Sequence, residues 1–239
     1  MKKEYIAILT VYNRLPYLNE QIAALLNQSI PPKQIYVWVN KDVHIKKNPN
    51  AKYIISDENF KFWGRFALAQ IMQSEYIMIL DDDTIPGKKW AENCFSSFSR
   101  KPGIYGGNGI YLRSNKYKPN IAKGWKSENE KIERVDLVGH AWFFPKKYLK
   151  YFWMEEPADY YTGEDIHFSY TCKKYGNINT YVPPHPASNK KLWSSVKGAE
   201  YGNDENASYK IDINKHYNSR NLIVEKYVKS GWKISILEK

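Results

Sequence analysis

Apolar and polar residues alternate along the first hundred positions with two periods, which predict strands and helices in turn. Near-continuous apolar runs at residues 5–13 and 76–80 are typical of strands buried on both faces of a sheet, and residues 34–40 alternate as another strand. An apolar stripe that follows Pro16 predicts a helix between the first two strands. A strand, a helix and a strand in this order form a crossover unit, which implies a parallel sheet with helices on its faces.

The rhythm continues to about residue 104 and then changes, because longer polar segments join the later strands. We place a soft boundary near residue 105 between two halves of one α/β chain, and residues 186–208 predict a long mobile loop. The other predicted elements are a strand at 53–55, helices that begin near Phe62 and Trp90, strands within 104–112, 132–144 and 177–184, a helix that opens at 163–165, and a last helix with an apolar stripe of Ile213, Tyr217, Val224, Tyr227 and Val228.

The composition is that of a packed globular protein with a surplus of positive charge. The chain has 239 residues, of which 43% are hydrophobic, and Lys plus Arg exceed Asp plus Glu by 36 to 25, a formal charge of +11. Such a surface attracts anions, which include nucleic acid, phosphorylated metabolites and anionic membrane faces. The basic residues form short scattered clusters and no long arm, which weighs against nucleic acid as a partner.

Cysteine usage and hydropathy favour a cytoplasmic protein. Cys94 and Cys172 are far apart and lack the CxxC spacing of a zinc site, so two reduced thiols are expected. The N-terminal apolar run is interrupted early by Glu4 and lacks a small-residue cleavage site, and no apolar run approaches the roughly 20 residues that span a bilayer. We therefore predict a soluble protein, and the positive charge adds the hypothesis of peripheral contact with a membrane surface.

Three consecutive carboxylates, Asp81, Asp82 and Asp83, directly follow the buried strand at 76–80. Their mutual repulsion and desolvation cost free energy, which indicates that a positive group belongs there. In an open parallel sheet, ligands bind beyond the carboxyl ends of the strands, and alternate residues of an extended segment point to one side. Asp81 and Asp83 therefore suit a hard divalent cation, Mn²⁺ or Mg²⁺, with a solvated acidic turn as the alternative.

Other sites with acidic or glycine-rich signatures fit this chain less well. An EF-hand loop that starts at Asp81 would need Gly where Pro86 stands, and no glycine here belongs to a phosphate-binding P-loop. The segment GIYGGNG at 103–109 lacks the third glycine of a dinucleotide-binding turn. A phosphatase of the haloacid dehalogenase type, with Asp81 as its nucleophile, stays open as an alternative.

Several segments, taken in order, resemble a known family. They are AILTVYNR, LNEQIAALLNQSIPPKQIYVWVN, ENFKFWGRFALAQIMQSEYIMILDDDTIPGKKW, VDLVGHAWFF and GEDIHFSYTCKKYGNINTYVPP. Together they resemble a glycosyltransferase of the GT-A fold, similar to family 2 in the first half, while GRF, DDD and HYNSR are similar to the exostosin-like transferases. The resemblance implies a single domain over residues 1–239 with a Rossmann-like, mostly parallel sheet flanked by helices. Residues 1–105 would bind the nucleotide sugar, and residues 106–239 would form the acceptor-binding and catalytic half.

The resemblance also implies a donor site that contains a metal, Mn²⁺ or Mg²⁺. The metal would be held chiefly by Asp83, with Asp81 reaching the ribose or the metal. His216, on the last helix, would add a contact to the metal or to a phosphate. A metal in this place neutralises the diphosphate leaving group as the bond between sugar and phosphate breaks. The residues implied in nucleotide-sugar binding are Thr10, Tyr12, Arg14, Arg65, Asp81, Asp82 and Arg220.

For the second half, the resemblance implies catalytic and acceptor-binding residues. Asp165 matches the catalytic carboxylate, with Glu164 beside it in the first turn of a helix. In an inverting enzyme Asp165 would be the general base for the acceptor hydroxyl, and in a retaining enzyme it would position the acceptor or steady the developing sugar cation. His140 and Trp142 fall where acceptors bind, and flat aromatic faces suit sugar rings.

These features predict a metal-dependent glycosyltransferase. It would move a monosaccharide from a nucleotide-diphosphate sugar, UDP-linked, to a hydroxyl group of a glycan, a glycolipid or a glycoprotein. Two alternatives stay open, the haloacid dehalogenase-type phosphatase and a non-enzymatic module that binds anionic glycans or RNA with a steep salt dependence.

Overall fold

The computed structural model describes residues 3–12, 15–41, 43–125, 127–202 and 212–237. The strands are β1 Tyr5–Val11, β2 Gln34–Val39, β3 Lys52–Ile55, β4 Tyr76–Leu80, β5 Ile104–Tyr105, β6 Asn108–Leu112, β7 Asn120–Gly124, β8 Glu133–Val135, β9 Leu137–Gly139, β10 Ala141–Pro145 and β11 Thr180–Val182. The α-helices are α1 Leu18–Leu26, α2 Gly64–Ile71, α3 Trp90–Arg100, α4 Leu149–Phe152, α5 Glu164–Gly176, α6 Gly198–Tyr201 and α7 Ile213–Lys229. Short 3₁₀ helices lie at Leu15–Tyr17, Lys146–Tyr148, Lys190–Leu192 and Ser235–Leu237.

Within the described residues, eight strands form a large sheet in the order β3-β2-β1-β4-β10-β5-β11-β8, and β7-β6-β9 form a small one. β1 pairs in parallel with β2 and β4, whereas β10 runs antiparallel to both β4 and β5. Because β10 lies between β4 and β5, strands from both sides of residue 105 share one sheet. The mostly parallel sheet with helices on its flanks confirms the predicted α/β class.

Packing against the centre of the large sheet explains why the first segments fold as they do. Every residue of β4 is buried, as a strand covered on both faces requires. Leu18, Ile22 and Leu25 of α1 are buried as their helical spacing predicted, and each such side chain stabilises the fold by roughly 1.5–3 kcal/mol. Tyr76 of β4 stacks on Phe143 of β10, with ring centroids 5.4 Å apart. β4 is thus held at the middle of the sheet, and its carboxyl end, Leu80, pairs with Leu9 of β1 and Ala141 of β10.

Two long strands predicted from the sequence are divided in the structure. The segment 104–112 forms β5 and β6, which belong to different sheets, and the chain passes between them at Gly106 and Gly107, where neighbouring atoms leave no room for a Cβ. The segment 132–144 forms β8, β9 and β10, and the last two are separated by His140, whose φ is +69°. A left-handed conformation of this kind costs a residue with a Cβ roughly 1 kcal/mol, and such strain concentrates at functional sites.

The segment 186–208 was predicted to be a mobile loop, and the part that the structure describes corrects this prediction. That part contains short helices, and its Lys197 ammonium lies 2.7 Å from the Glu20 carboxylate. Tyr201 stacks on Tyr17 with ring centroids 3.8 Å apart. These contacts dock the segment against the first helix, while its last residues lie outside the described ranges.

The last helix, α7, buries a stripe that differs from the predicted one. Ile213 was expected in the stripe but is 48% exposed, because the first turn of α7 extends past the core. Ile223, Val224 and Tyr227 are buried, and the Tyr227 ring stacks on Tyr170 of α5 at 4.0 Å. Neither α7 nor any other helix of the described ranges is long and apolar enough to span a bilayer.

Candidate active site

A cavity of about 410 Å³ opens beyond the carboxyl end of β4, where the sequence predicted a ligand. Side chains from both halves of the chain meet in its wall, and the most distant, Phe62 and Arg220, are 158 positions apart in sequence. The predicted site residues that the wall brings together are Asp81, His140, Trp142, Glu164, Asp165, His216 and Arg220.

Arg65, in the first turn of α2, joins two carboxylates from distant parts of the chain. Its guanidinium donates hydrogen bonds to Asp81 Oδ1 and to Glu164 Oε1, the latter at 3.1 Å, and it stacks 4.7 Å from the Trp142 ring centroid. Burial acts to lower the pKa of Arg65, but the Asp81 and Glu164 carboxylates outweigh this effect and raise it. Arg65 is only 2% exposed and faces the protein's own carboxylates behind the cavity wall, and its contact with the donor stays a prediction.

Glu164 is the more deeply engaged of the two acids at the start of α5. It is 8% exposed and holds Arg65. Burial raises the pKa of Glu164 to about 7, with the charge of Asp165 acting in the same direction and Arg65 opposing it. A carboxyl group with this pKa is protonated in a substantial fraction of molecules near neutral pH.

Asp81, Asp83 and His140 offer ligand atoms that all lie within 4.8 Å of one another, the one such group found among the described residues. His140 Nδ1 lies 3.2 Å from Asp81 Oδ2 and 4.0 Å from Asp83 Oδ1, yet this buried nitrogen forms no hydrogen bond. Arg65 holds the other oxygen of Asp81, so Oδ2 is left to face the group. Two carboxylates and one imidazole nitrogen form a donor set that suits Mn²⁺.

Asp165 and Arg220 form a second ion pair in the cavity wall. Arg220 Nη2 lies 2.5 Å from Asp165 Oδ2, and the guanidinium stacks 4.3 Å from the Tyr117 ring centroid. Burial acts to lower the pKa of Arg220, and the charge of Asp165 outweighs it and raises the pKa. Arg220 Nε is buried and has no hydrogen-bond partner. This N–H group could donate a hydrogen bond to an oxygen of a ligand.

The residues predicted to hold the nucleoside lie at the end of β1. Tyr12 is 45% exposed, which leaves its ring open to a ligand, and Thr10 Oγ1 is buried with no hydrogen-bond partner. Arg14 lies outside the described residues. Asp82 is half-buried, and its charge acts on Arg65. The nucleotide contacts of these residues stay predictions.

His216 does not join the group formed by Asp81, Asp83 and His140. It lies in the cavity wall on α7, with its ring 5.4 Å from that of Tyr217. Burial and the charge of Arg220 lower the pKa of His216 to about 4, so the imidazole is neutral at physiological pH. His216 thus lies in the cavity wall apart from the group of Asp81, Asp83 and His140, and its contact with the metal or a phosphate stays a prediction.

Trp142, predicted to contact the acceptor, belongs to the cavity wall but is largely covered. The side chain is 1% exposed, its indole N–H donates to Val138 O at 3.0 Å, and its face carries Arg65. Trp142 therefore supports Arg65, and its contact with the acceptor stays a prediction.

Two residues of the site were missed by the sequence analysis. Gln21, buried in α1, donates from Nε2 to Asp81 O at 2.6 Å and to Thr84 O at 3.0 Å, which fixes the turn that carries the carboxylates. A polar residue on the apolar stripe of a helix was the signal that could have revealed it. Trp125, which stacks on His140 with ring centroids 4.3 Å apart, follows β7 in a segment with no comparable signal.

With this geometry established, comparison with known proteins identifies the family. The model of glycosyl transferase family 2 matches residues 6–153, which is more than half of the chain. This chain belongs to glycosyltransferase family 2. The match confirms the resemblance seen in the sequence and favours a glycosyltransferase over the dehalogenase-type phosphatase. No curated protein matches the chain significantly.

Solved structures of S. aureus TarS share the fold. TarS 1–349, alone and in complex with UDP, superposes with TM-scores of 0.54 and 0.53, and a structure of TarS matches with 0.54. Each is 16% identical to this chain and covers 77% of it, whereas the chain spans 59% of TarS 1–349 and 36% of TarS. At 16% identity the structural similarity to TarS confirms the fold alone. The assignment to family 2 rests on the match of the family model.

Proposed function

We propose that this protein transfers a monosaccharide from a nucleotide-diphosphate sugar, UDP-linked, to a hydroxyl group of a glycan, glycolipid or glycoprotein, and that it uses Mn²⁺ or Mg²⁺. The observation that carries the proposal is the meeting of Asp81, Asp165 and Arg220 around one cavity in a family 2 fold, with a ligand atom of Asp83 within 4.8 Å of one of Asp81. The solved TarS complex contains UDP, which supports the choice of base.

The charges around the cavity suit a donor that carries a diphosphate. Arg220 retains an unpartnered N–H, and a guanidinium binds phosphate oxygens with directed, charge-assisted hydrogen bonds. Asp81 and Asp83 would hold the metal, and His140 Nδ1 beside them, which forms no hydrogen bond, supports a cation at this place. When bound, the metal supplies positive charge that stabilises the departing nucleotide diphosphate.

Asp165 is the residue we assign to the chemistry at the acceptor. A Cβ built on Gly139 would lie 3.6 Å from Asp165 Oδ2, so this carboxylate lies next to the backbone that leads into His140 and the metal ligands. From this position Asp165 removes the acceptor proton in an inverting reaction, or orients the acceptor in a retaining one. Glu164 holds Arg65 and thereby Asp81, so we assign it a positioning role.

Exposed aromatic side chains border the cavity where an acceptor would enter. Phe62 and Thr162 line the cavity, and Tyr160 and Tyr161 next to Thr162 are 56% and 74% exposed. The Trp63 indole donates to Tyr160 O at 2.8 Å, which holds the two loops together. Lys61 Nζ lies 3.3 Å from the Tyr161 ring centroid and covers one face of that ring. Exposed aromatic side chains bind sugar rings, and this supports a carbohydrate-bearing acceptor.

The cytoplasmic location with peripheral membrane contact belongs to the same proposal. It is supported by the formal charge of +11, which attracts an anionic lipid surface at low ionic strength. Co-sedimentation with vesicles tests it: binding to phosphatidylserine-containing vesicles and not to phosphatidylcholine vesicles is expected. Equal partition between the two would contradict membrane contact.

A thermal-shift panel tests the proposed function. UDP-, GDP-, CMP- and dTDP-sugars are each added with and without Mn²⁺, and the preferred donor raises the unfolding temperature by mass action. Asp83→Ala is expected to abolish the Mn²⁺-dependent part of this shift, and Asp165→Ala to keep it while sugar transfer is lost. Asp57→Ala, which removes an exposed acid outside the cavity wall, is the matched control. No shift with any nucleotide sugar would overturn the proposal.

A further inference from the structure

We infer that His140 is the third protein ligand of the metal and that its backbone and ring are positioned for this purpose. The inference rests on the proposed metal-dependent function and replaces His216 with His140 as the histidine at the metal. Three independent features of the structure point to this role: the placement of Nδ1, the backbone conformation and the stacking of the ring.

The distances from His140 Nδ1 to the two carboxylates suit a shared metal ion. Atoms bound to one Mn²⁺ or Mg²⁺ lie about 2.1 Å from it, so they are separated by about 4.2 Å at most. His140 Nδ1 lies 3.2 Å from Asp81 Oδ2 and 4.0 Å from Asp83 Oδ1, within this limit. A buried imidazole nitrogen with no hydrogen bond costs free energy that a bound cation would offset.

The backbone at His140 is held in a strained form that aims the ring at the carboxylates. Its φ of +69° lies in the left-handed region, where Gly or Asn is usual. The conformation lets His140 O accept from Asp81 N at 2.9 Å, so the main chain ties the histidine to the first aspartate. Strain of this kind persists where the surrounding structure over-determines it, and a metal site explains why it is retained.

The ring is oriented by Trp125 and the segment that covers it. Trp125 stacks on His140 at 4.3 Å with an interplanar angle of 27°. The other surroundings of Trp125 include Gly198 and Gly202 of the docked segment, where a Cβ would lie 1.5 and 2.6 Å from indole atoms. Indole and imidazole are thus held in one stack, as outer residues hold the histidine ligands of metal sites.

Mn²⁺ binding measured by electron paramagnetic resonance tests the inference without any assay of transfer. The free-ion signal gives the Kd, and pulsed spectra of bound Mn²⁺ report a directly bound nitrogen. Wild type, His140→Gly and His216→Ala are compared without nucleotide and with UDP. Glycine is chosen because it accepts the left-handed backbone without strain, and thermal unfolding of the metal-free proteins checks that the variants fold.

We expect His140→Gly to weaken Mn²⁺ binding roughly ten- to a hundredfold and to lose the nitrogen signal, while His216→Ala keeps both. Added imidazole should fill the space below Trp125 and restore the affinity and the nitrogen signal in His140→Gly, which a merely structural role would not do. An unchanged Kd in His140→Gly, or a nitrogen signal lost only in His216→Ala, would overturn the inference and leave the proposed function standing. If wild type binds no Mn²⁺ under either condition, the inference and the metal dependence both fall.

Discussion

Arg220 Nη2 lies 2.5 Å from Asp165 Oδ2, so the residue assigned to the donor diphosphate is bound to the residue assigned to the acceptor. The second oxygen of Asp165 accepts from Ile166 N at 2.9 Å, so each oxygen of the carboxylate has a hydrogen-bond partner. A diphosphate oxygen that binds Arg220 Nη2 must compete with Asp165 for that nitrogen, whereas Arg220 Nε has no partner to displace. The pair thus links the two halves of the proposed reaction.

Asp165→Asn should tighten the binding of UDP in the presence of Mn²⁺. The substitution removes a competitor for Arg220, and since a hydrogen bond to a charged group contributes about 1 kcal/mol or more, we expect a gain of about fivefold in affinity. Isothermal titration calorimetry measures it, with Asp159→Asn as the control for a change of net charge.

The same substitution in an Arg220→Met background separates competition from simple repulsion. If Asp165 and the diphosphate compete for Arg220, Asp165→Asn should have no effect once Arg220 is absent. An equal gain in both backgrounds would mean that the carboxylate only repels the phosphates, and the competition would be excluded.

Arg65→Met should act on stability more than on donor affinity. It leaves the Asp81 and Glu164 carboxylates without their shared cation, and breaking a buried ion pair costs about 3–5 kcal/mol. Urea unfolding at pH 7.5 measures the loss, and Arg65→Lys should recover only part of it, because an ammonium cannot span both carboxylates as the planar guanidinium does. Full recovery by Lys would contradict the bridging role.

His185 should make the fold less stable on acidification. It donates from Nδ1 to Pro183 O at 2.8 Å and accepts from Ser194 N at 3.1 Å, which fixes the neutral ring, and burial lowers the pKa of His185 to about 4. The unfolded chain takes up this proton near pH 6.5 and the folded protein only near pH 4. The neutral His185 ring therefore stabilises the folded state fully above pH 6.5. As the pH falls from 6.5 to 4, the free energy of unfolding drops by about 3 kcal/mol.

Urea unfolding of wild type and His185→Gln between pH 7.5 and 4 separates the contribution of His185 to the free energy of unfolding from those of other groups that titrate in this range. His185→Gln is expected to be less stable at pH 7.5 and to lose less on acidification, so the two curves converge. Parallel curves would show that His185 does not carry the pH dependence.

Gly198→Ala should loosen the stack that holds His140. Its Cβ would lie 1.5 Å from Trp125 Nε1, so the indole must move, and overpacking of this kind costs about 1–3 kcal/mol. We expect a lower free energy of unfolding and weaker Mn²⁺ binding. In a Trp125→Ala background Gly198→Ala should lower the free energy of unfolding only slightly, because the indole that would clash is absent. An equal loss of stability in both backgrounds would show that the clash with Trp125 is not the cause.

The local patterns that the sequence carries were enough for the first half of the fold. The continuous apolar run at 76–80 became β4, and Trp90, Cys94 and Phe98 became the buried face of α3. The later strands were harder, since the segment 132–144 is uniformly suited to a strand. Its breaks depend on contacts with other parts of the chain, such as the bond from Ser235 N to Asp136 Oδ1 at 2.6 Å.

Within the site, the sequence located the acids but not their partners. Asp81 and Asp83 could be chosen because alternation along an extended segment is a local property. The side chain that faces a given carboxylate is decided by long-range packing, so no local pattern indicated that Arg65 holds Asp81 and stacks on Trp142. The position of His140 beside Asp81 was hidden from the sequence for the same reason.

The sequence by itself determined the α/β class, the strand that ends in the carboxylates and, through the order of its segments, the family. Periodicity and turn residues act over a few positions, so they can be read directly. The tertiary structure alone decided that Arg65 and Arg220 are paired with acids, that His140 lies beside Asp81, and that the segment before residue 203 is docked. These depend on strand order and on the close approach of residues distant in the chain, which no local pattern encodes.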